Sequence, residues 1–312
     1  MKILITGCNG QLGTELQKQL SVGYSELGDI PAQLKDAEVI PIDIDVLDLS
    51  EEDEVRNYVL SCKPDVIFNC AAYTNVDGCE TNKELAYKAN ALGPKNLALA
   101  AKEINAKLIH ISTDYVFDGK DNDQVPRSEE DVPNPISAYG NTKLAGETFV
   151  QDCCTKYFIV RTAWLYSYYG KNFVKTIVNA GRKYGTLEVV NDQYGNPTNA
   201  EDLAHVLLWL SVTENYGIYH CTGEGVCSWY DFASEIICLS GVKATVSPCT
   251  TQEYKTKHPE SADRPLWSAL ENRKLKETIG SPMRNWEDAL ASFFDYWDGN
   301  NGIKGITDHG TI

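Results

Sequence analysis

Five short apolar runs punctuate the first half of the chain, at residues 2–6, 39–43, 66–71, 108–113 and 158–162. Each is strand-length and rich in Ile, Val and Leu. Continuous apolar runs bounded by turns suit strands buried on both faces, as in a parallel sheet covered by helices. Between them, apolar positions fall at helical spacing over residues 12–20, 52–62, 83–104 and 139–151. The third stretch contains Gly93-Pro94. A kink or break is expected there, because proline lacks the amide donor of an interior turn. Strand-helix alternation predicts an α/β chain with a doubly wound parallel sheet.

After Arg161 the rhythm loosens. Helical patterns recur at 172–183, 201–210, 229–239 and 286–294, with strand patterns at 188–191 and 218–221. Loops rich in Gly, Pro and Tyr separate them. The pattern predicts a first domain over residues 1–165 and a smaller lobe over 166–298, with room for later strands to return to the main sheet. Residues 299–312, rich in Gly and Asn, read as a flexible tail.

The first strand runs into Gly7-Cys8-Asn9-Gly10-Gln11-Leu12-Gly13, which opens the first helix. Glycines permit the tight turn and close backbone approach, and the helix start offers free N–H donors to a pyrophosphate. Alone, G-x-x-G-x-x-G is also an ordinary strand-to-helix turn. Directly after an apolar strand near the start of the chain, it reads as a dinucleotide cradle in a Rossmann-type domain. The second strand ends in Pro41-Ile42-Asp43-Ile44-Asp45, without Lys or Arg. A carboxylate there bonds ribose hydroxyls and repels a 2′-phosphate, so Asp43 favours NADH on local physics. Asp48 and Leu49 are candidates for the edge of the adenine pocket.

Tyr139 and Lys143 stand four residues apart on a helical stretch, hence on one face, one turn apart. An ammonium beside a phenol favours the phenolate, which would bring Tyr139 closer to useful proton exchange. Pro133, Pro135 and Ser137 mark a helix start just upstream. Thr113 ends a buried strand, on the side where ligands meet an open parallel sheet, and offers a hydroxyl to a carbonyl oxygen. Each feature alone is common. Glycine loop, strand-end hydroxyl and Tyr/Lys helix in this order point to carbonyl reduction with a nicotinamide cofactor.

Composition narrows the partners. The chain has 312 residues, 43% of them hydrophobic, and a formal charge of −16. A nucleic-acid polymer is disfavoured, since no broad basic face is available. No run is long and apolar enough for a signal peptide or membrane span. The ten cysteines are scattered without a C-x-x-C pair, which suits reduced thiols in the cytoplasm. The five histidines show no ligand spacing, and no metal is expected.

Across residues 1–297 the sequence resembles the extended short-chain dehydrogenase/reductases, and among them the dTDP-4-dehydrorhamnose reductases. MKILITGCNGQLG and PISAYGNTKLAGE are shared by the whole superfamily, whereas STDYVFDG (112–119), VVNDQYGNPT (189–198) and GIYHCTGEGVCSWYDFA (217–233) are more specific. The resemblance implies Thr113, Tyr139 and Lys143 as the catalytic set. It implies Ala71, Ala72 and Tyr73 along the cofactor, and Asn90 as support for the lysine through water. It places Val76, Asp77, Asp114, Tyr115 and Trp164 on the substrate side. The cofactor would be NADPH or NADH. The substrate would be the nucleotide sugar dTDP-4-dehydro-β-L-rhamnose, reduced at C4 to dTDP-L-rhamnose for bacterial surface polysaccharide, by a monomer or homodimer. The long stretch 21–38 departs from the family pattern. Two rival functions share the fold: a nucleotide-sugar epimerase or dehydratase, and a non-catalytic regulatory subunit. Dehydratases carry Thr-Asp-Glu at the strand end, where this chain has Thr113-Asp114-Tyr115.

Overall fold

The structure is a computed structural model that describes residues 1–120, 124–280 and 283–304. Five strands come from the first half: β1 (Lys2–Thr6), β2 (Glu38–Ile42), β3 (Val66–Asn69), β4 (Lys107–Thr113) and β5 (Tyr157–Thr162). The later half adds β6 (Thr186–Val190), β7 (Gly217–His220) and β8 (Thr245–Cys249). β7 returns to the main sheet beside β5, while β6 and β8 pair with each other. Across the main sheet the order is β7-β5-β4-β3-β1-β2, and every pairing is parallel. Chain order reverses between β1 and β3. At such a switch point the loops diverge and leave a crevice beyond the strand ends.

Alternation along β1 explains the two covered faces. Ile3 and Ile5 point to one side, against α1 (Gln11–Val22) and, further along the chain, residues 200–211. Leu4 points to the other, among side chains of α2 (Glu52–Cys62), α3 (Gly93–Glu103) and α4 (Ala138–Cys153). All three strand residues are fully buried. The second lobe has its own aromatic-rich core between α5 (Phe173–Tyr184) and two later helices. After α6 (Ala200–Ser211), these are α7 (Trp229–Ser240) and α8 (Trp286–Tyr296).

The Gly93-Pro94 break takes a specific form. A helical turn over Lys83–Tyr87 widens to a π-turn over Lys88–Leu92, and α3 resumes at Gly93. Pro94 has no N–H for the carbonyl four residues back, that of Asn90, and the wider turn makes room for its ring. Stretch 21–38 forms a small hairpin and a 3-10 turn, and it buries Ile30 and Leu34 against α1. The stretch read as a tail begins with an ordered return. Asp298 accepts from the amides of Asn300 and Gly302, and Ile303 is buried in a bridge to Trp297. Residues 305–312 of that tail lie outside the described residues. Among the described residues, no helix is long and apolar enough to cross a membrane.

Candidate active site

The crevice at the switch point holds two adjoining cavities. The first, about 400 Å³, is lined by Gly7, Gly10, Asp43, Asp48, Leu49, Ala71, Ala72 and Tyr73. Gly7 has φ +65°, and a Cβ there would fall 2.7 Å from the Ala71 amide nitrogen. Only glycine lets the loop after β1 lie flat against the strand end after β3. Gly10 caps α1 without a side-chain bond, so the first amides of that helix remain free for an anion. Asn9 donates its backbone N–H to Asp43 at 3.0 Å, which ties the loop tip to the end of β2. No Lys or Arg lines this cavity. These residues fit a dinucleotide: a glycine cradle that a Cβ would fill, free helix-start amides and a carboxylate at ribose distance along the sheet edge.

The second cavity, about 460 Å³, shares Gly7, Gly10, Cys70 and Ala72 with the first. Gln11, Leu12, Gly13, Val76, Thr113, Asp114, Tyr115, Tyr139, Lys143 and Trp164 all line it. The fold brings them together by fixing α4 on the sheet. Ser137 caps the helix through the Gly140 amide. Deeper in, the buried Glu147 carboxylate accepts from Ser112 Oγ at 2.5 Å, Arg161 Nε at 3.0 Å and Arg161 Nη2 at 2.7 Å. This clamp joins α4 to β4 and β5 directly below the Tyr139 turn.

Lys143 donates from Nζ to the Ile111 carbonyl at 2.6 Å, so its ammonium is held on β4. Burial pulls its pKa down to about 8, against the opposing charges of Glu147 and Cys70. The expected lowering of Tyr139 by Lys143 is not what dominates here. Burial pushes the Tyr139 phenol upward, and the neighbouring Thr113 hydroxyl pulls the other way. Tyr139 is therefore a neutral acid at ordinary pH. Thr113 donates to Asp114 Oδ1 at 2.9 Å. Burial raises Asp114 to about 6, while bonds from Ser268 and Thr113 lower it. Its Oδ2 is buried without a hydrogen-bond partner. The rings of Tyr115 and Tyr139 meet edge to face at 5.7 Å.

Two residues sit differently from their expected places. Asn90 lines neither cavity. From the π-turn, its side chain accepts from the Tyr73 amide at 2.8 Å and donates to the Tyr73 carbonyl at 3.0 Å and to Thr142 at 3.2 Å. It thus joins the cofactor-side strand end to the Tyr/Lys helix. Asp77 also stands back from the cavities, and its carboxylate is taken by Arg264 and the Ala262 amide.

Trp164 lines the second cavity with φ +48°, a strained conformation for a bulky side chain. Its indole stacks on Trp229 with centroids 3.5 Å apart. Trp229 was not singled out in the sequence. Its signal was there: a reciprocal cap between Ser228 and Asp231 starts α7 at Trp229 and aims it at the site. Cys70, Lys171 and Asn172 complete the lining.

A model of the RmlD substrate binding domain matches residues 1–298. A crystal structure of a dTDP-4-dehydrorhamnose reductase from Clostridium acetobutylicum is 50% identical, with a TM-score of 0.87 over 95% of this chain and 99% of that one. The chain belongs to the dTDP-4-dehydrorhamnose reductase family. The Bacillus anthracis dTDP-4-dehydrorhamnose reductase, solved in complex with NADP, is 39% identical with a TM-score of 0.86 over 94% of this chain and 98% of that one. The spore coat polysaccharide biosynthesis protein SpsK of Bacillus subtilis is 37% identical over 94% of this chain and 96% of its own length. Membership makes this an oxidoreductase that uses a nicotinamide dinucleotide. Among the described residues, no group of His, Cys, Asp and Glu is placed to hold a metal ion.

Proposed function

We propose that this chain reduces the C4 ketone of dTDP-4-dehydro-β-L-rhamnose to dTDP-L-rhamnose, supplying bacterial surface polysaccharide. The observation that carries this reading is the continuity of the two cavities. One is a dinucleotide cradle, and the other sets Thr113, Tyr139 and Lys143 beside a pair of stacked indoles.

A bound NADH or NADPH supplies the hydride. Gly7, Asn9, Gly10, Gln11, Leu12 and Gly13 would hold its phosphates, and Asp43, Asp48 and Leu49 its adenosine end. Ala71, Ala72 and Tyr73 would flank it where Asn90 pins them to α4. Thr113 and Tyr139 would both bond the ketone oxygen. As negative charge grows on that oxygen, the neutral phenol of Tyr139 transfers its proton and the product alcohol forms. Lys143, fixed on the Ile111 carbonyl, offers a positive charge beside the phenolate left behind. Trp164, Trp229 and Val76 present apolar surface suited to a deoxysugar. The unpaired oxygen of Asp114 is suited to accept from a sugar hydroxyl. Tyr115 stands where a dehydratase needs its glutamate, which favours reduction without loss of water. The carboxylate of Asp43, with no cation in its cavity, favours NADH over NADPH. The reading places the protein in the cytoplasm, as a monomer or homodimer.

A reduced cofactor deuterated at nicotinamide C4 tests the chemistry. Deuterium at C4 of the rhamnosyl product is expected. Deuterium elsewhere, or retained on the cofactor, would contradict the assignment.

A further inference from the structure

Behind Val76 and Tyr115, which both line the second cavity, a cross-lobe ion pair joins residues 187 positions apart. Asp77 lies in the first turn of the short helix Val76–Thr81. Its carboxylate accepts from Arg264 Nη2 at 3.0 and 3.1 Å, and from the Ala262 amide at 2.9 Å. Arg264 Nη1 donates to the Ala262 carbonyl at 3.3 Å. The guanidinium is thereby oriented from both sides, as its rigid fork of donors allows. Its other face is turned to the Tyr115 hydroxyl, where its charge and hydrogen bonding oppose the burial that pushes that phenol up.

Tyr115 touches both partners of the reacting oxygen. Its backbone N–H donates to Thr113 Oγ1 at 3.2 Å, and its ring meets the Tyr139 ring edge to face. Its carbonyl sits so close to α4 that a Cβ at Gly140 would fall 2.2 Å from it. Any shift of Tyr115 must therefore move Tyr139 relative to Thr113. A partly exposed ion pair contributes little to stability by itself, so stability alone gives this pair little purpose.

We propose that Arg264 is a positioning residue for the reduction: anchored by Asp77, it holds Tyr115 against Tyr139 and so sets the catalytic tyrosine relative to Thr113. The proposal rests on the reductase reading above. A small misplacement of reacting groups is costly in rate.

The test compares wild type with Arg264→Met, Arg264→Lys and Asp77→Asn in two measurements. The first is steady-state reduction of dTDP-4-dehydro-β-L-rhamnose. Arg264→Met should lower kcat by about tenfold to a hundredfold while KM for the reduced cofactor stays within about twofold. Arg264→Lys should restore only part, because an ammonium cannot bond carboxylate and phenol with the same fork. Asp77→Asn, which keeps an acceptor for Ala262, should fall between. The second is hydrogen exchange in the cofactor-free protein, which needs no turnover. Exchange over residues 113–117 should quicken in Arg264→Met and Asp77→Asn, with β1 and β3 unchanged. Unchanged exchange over 113–117, or kcat within twofold of wild type, would overturn the proposal. A wild type that folds yet leaves the ketosugar untouched would instead count against the reductase reading, and the exchange data would still decide the role of Arg264.

Discussion

At the scale of single residues, Tyr139 and Lys143 divide their work by environment. Burial keeps the phenol protonated, as a proton donor requires, and the same burial weakens the lysine's hold on its own proton. The pH dependence follows with its sign. Lys143 is brought down to about 8, so its ammonium is complete below that pH and is lost as pH rises through it. A reaction that needs the ammonium beside the nascent phenolate should lose activity through the same window. The profile of kcat/KM for the ketosugar, at saturating cofactor, should be level towards neutrality and fall above about pH 8. A profile flat well into the alkaline range would remove Lys143 charge from the account. The spacing of these two residues was legible in the sequence because a helix converts a separation of four into a shared face. Their electrostatics were not, because burial is set by β4 and by the lobe above, far along the chain. The stacking of Trp229 on Trp164 was hidden for the same reason: the two rings belong to different elements 65 positions apart.

At the scale of elements, the site depends on where α4 is docked. The apolar pattern located the helix, and the capping Ser137 gave its start. It could not show that Glu147, on the same helix, is the fully buried partner of Arg161 on β5 and Ser112 on β4. A buried ion pair loses much when only one partner is removed, because the other charge stays in the interior. Glu147→Ala should therefore cost about 3–5 kcal/mol of stability, measured by the midpoint of chemical denaturation. A loss below about 1 kcal/mol, the range of surface pairs, would mean that Arg161 finds solvent or another partner. The helix before α4 teaches a related lesson. Gly93-Pro94 announced an irregularity, but its form, a π-turn that aims Asn90 at Tyr73, follows from how three segments pack and has no local signal.

At the scale of the whole molecule, the alternation of strands and helices disclosed the main sheet, and only the return of β7 from the later half needed the structure to place it. The long stretch 21–38 was opaque because it has no periodicity. It proves to be a cross-lobe staple. Glu26 accepts from Tyr168 and Ser292, each at 2.6 Å, and pairs with Arg284, which also binds the buried Asp202. Nearby, Lys18 pairs with Glu201, and burial together with that second carboxylate pushes Glu15 well up. Through these contacts α1, whose first turn forms the phosphate cradle, is tied to α6 and α8. The cofactor cradle and the substrate lobe are thus held as one framework around the two cavities.

That framework exists, in this account, to pass hydride and proton to one ketone. The most direct measurement is oxidation of NADH and NADPH on adding dTDP-4-dehydro-β-L-rhamnose, with wild type and Tyr139→Phe side by side. Wild type should oxidise both, NADH faster, and form dTDP-L-rhamnose, while Tyr139→Phe binds cofactor normally and loses most turnover. No oxidation by wild type that binds either cofactor, or near-normal turnover by Tyr139→Phe, would contradict it.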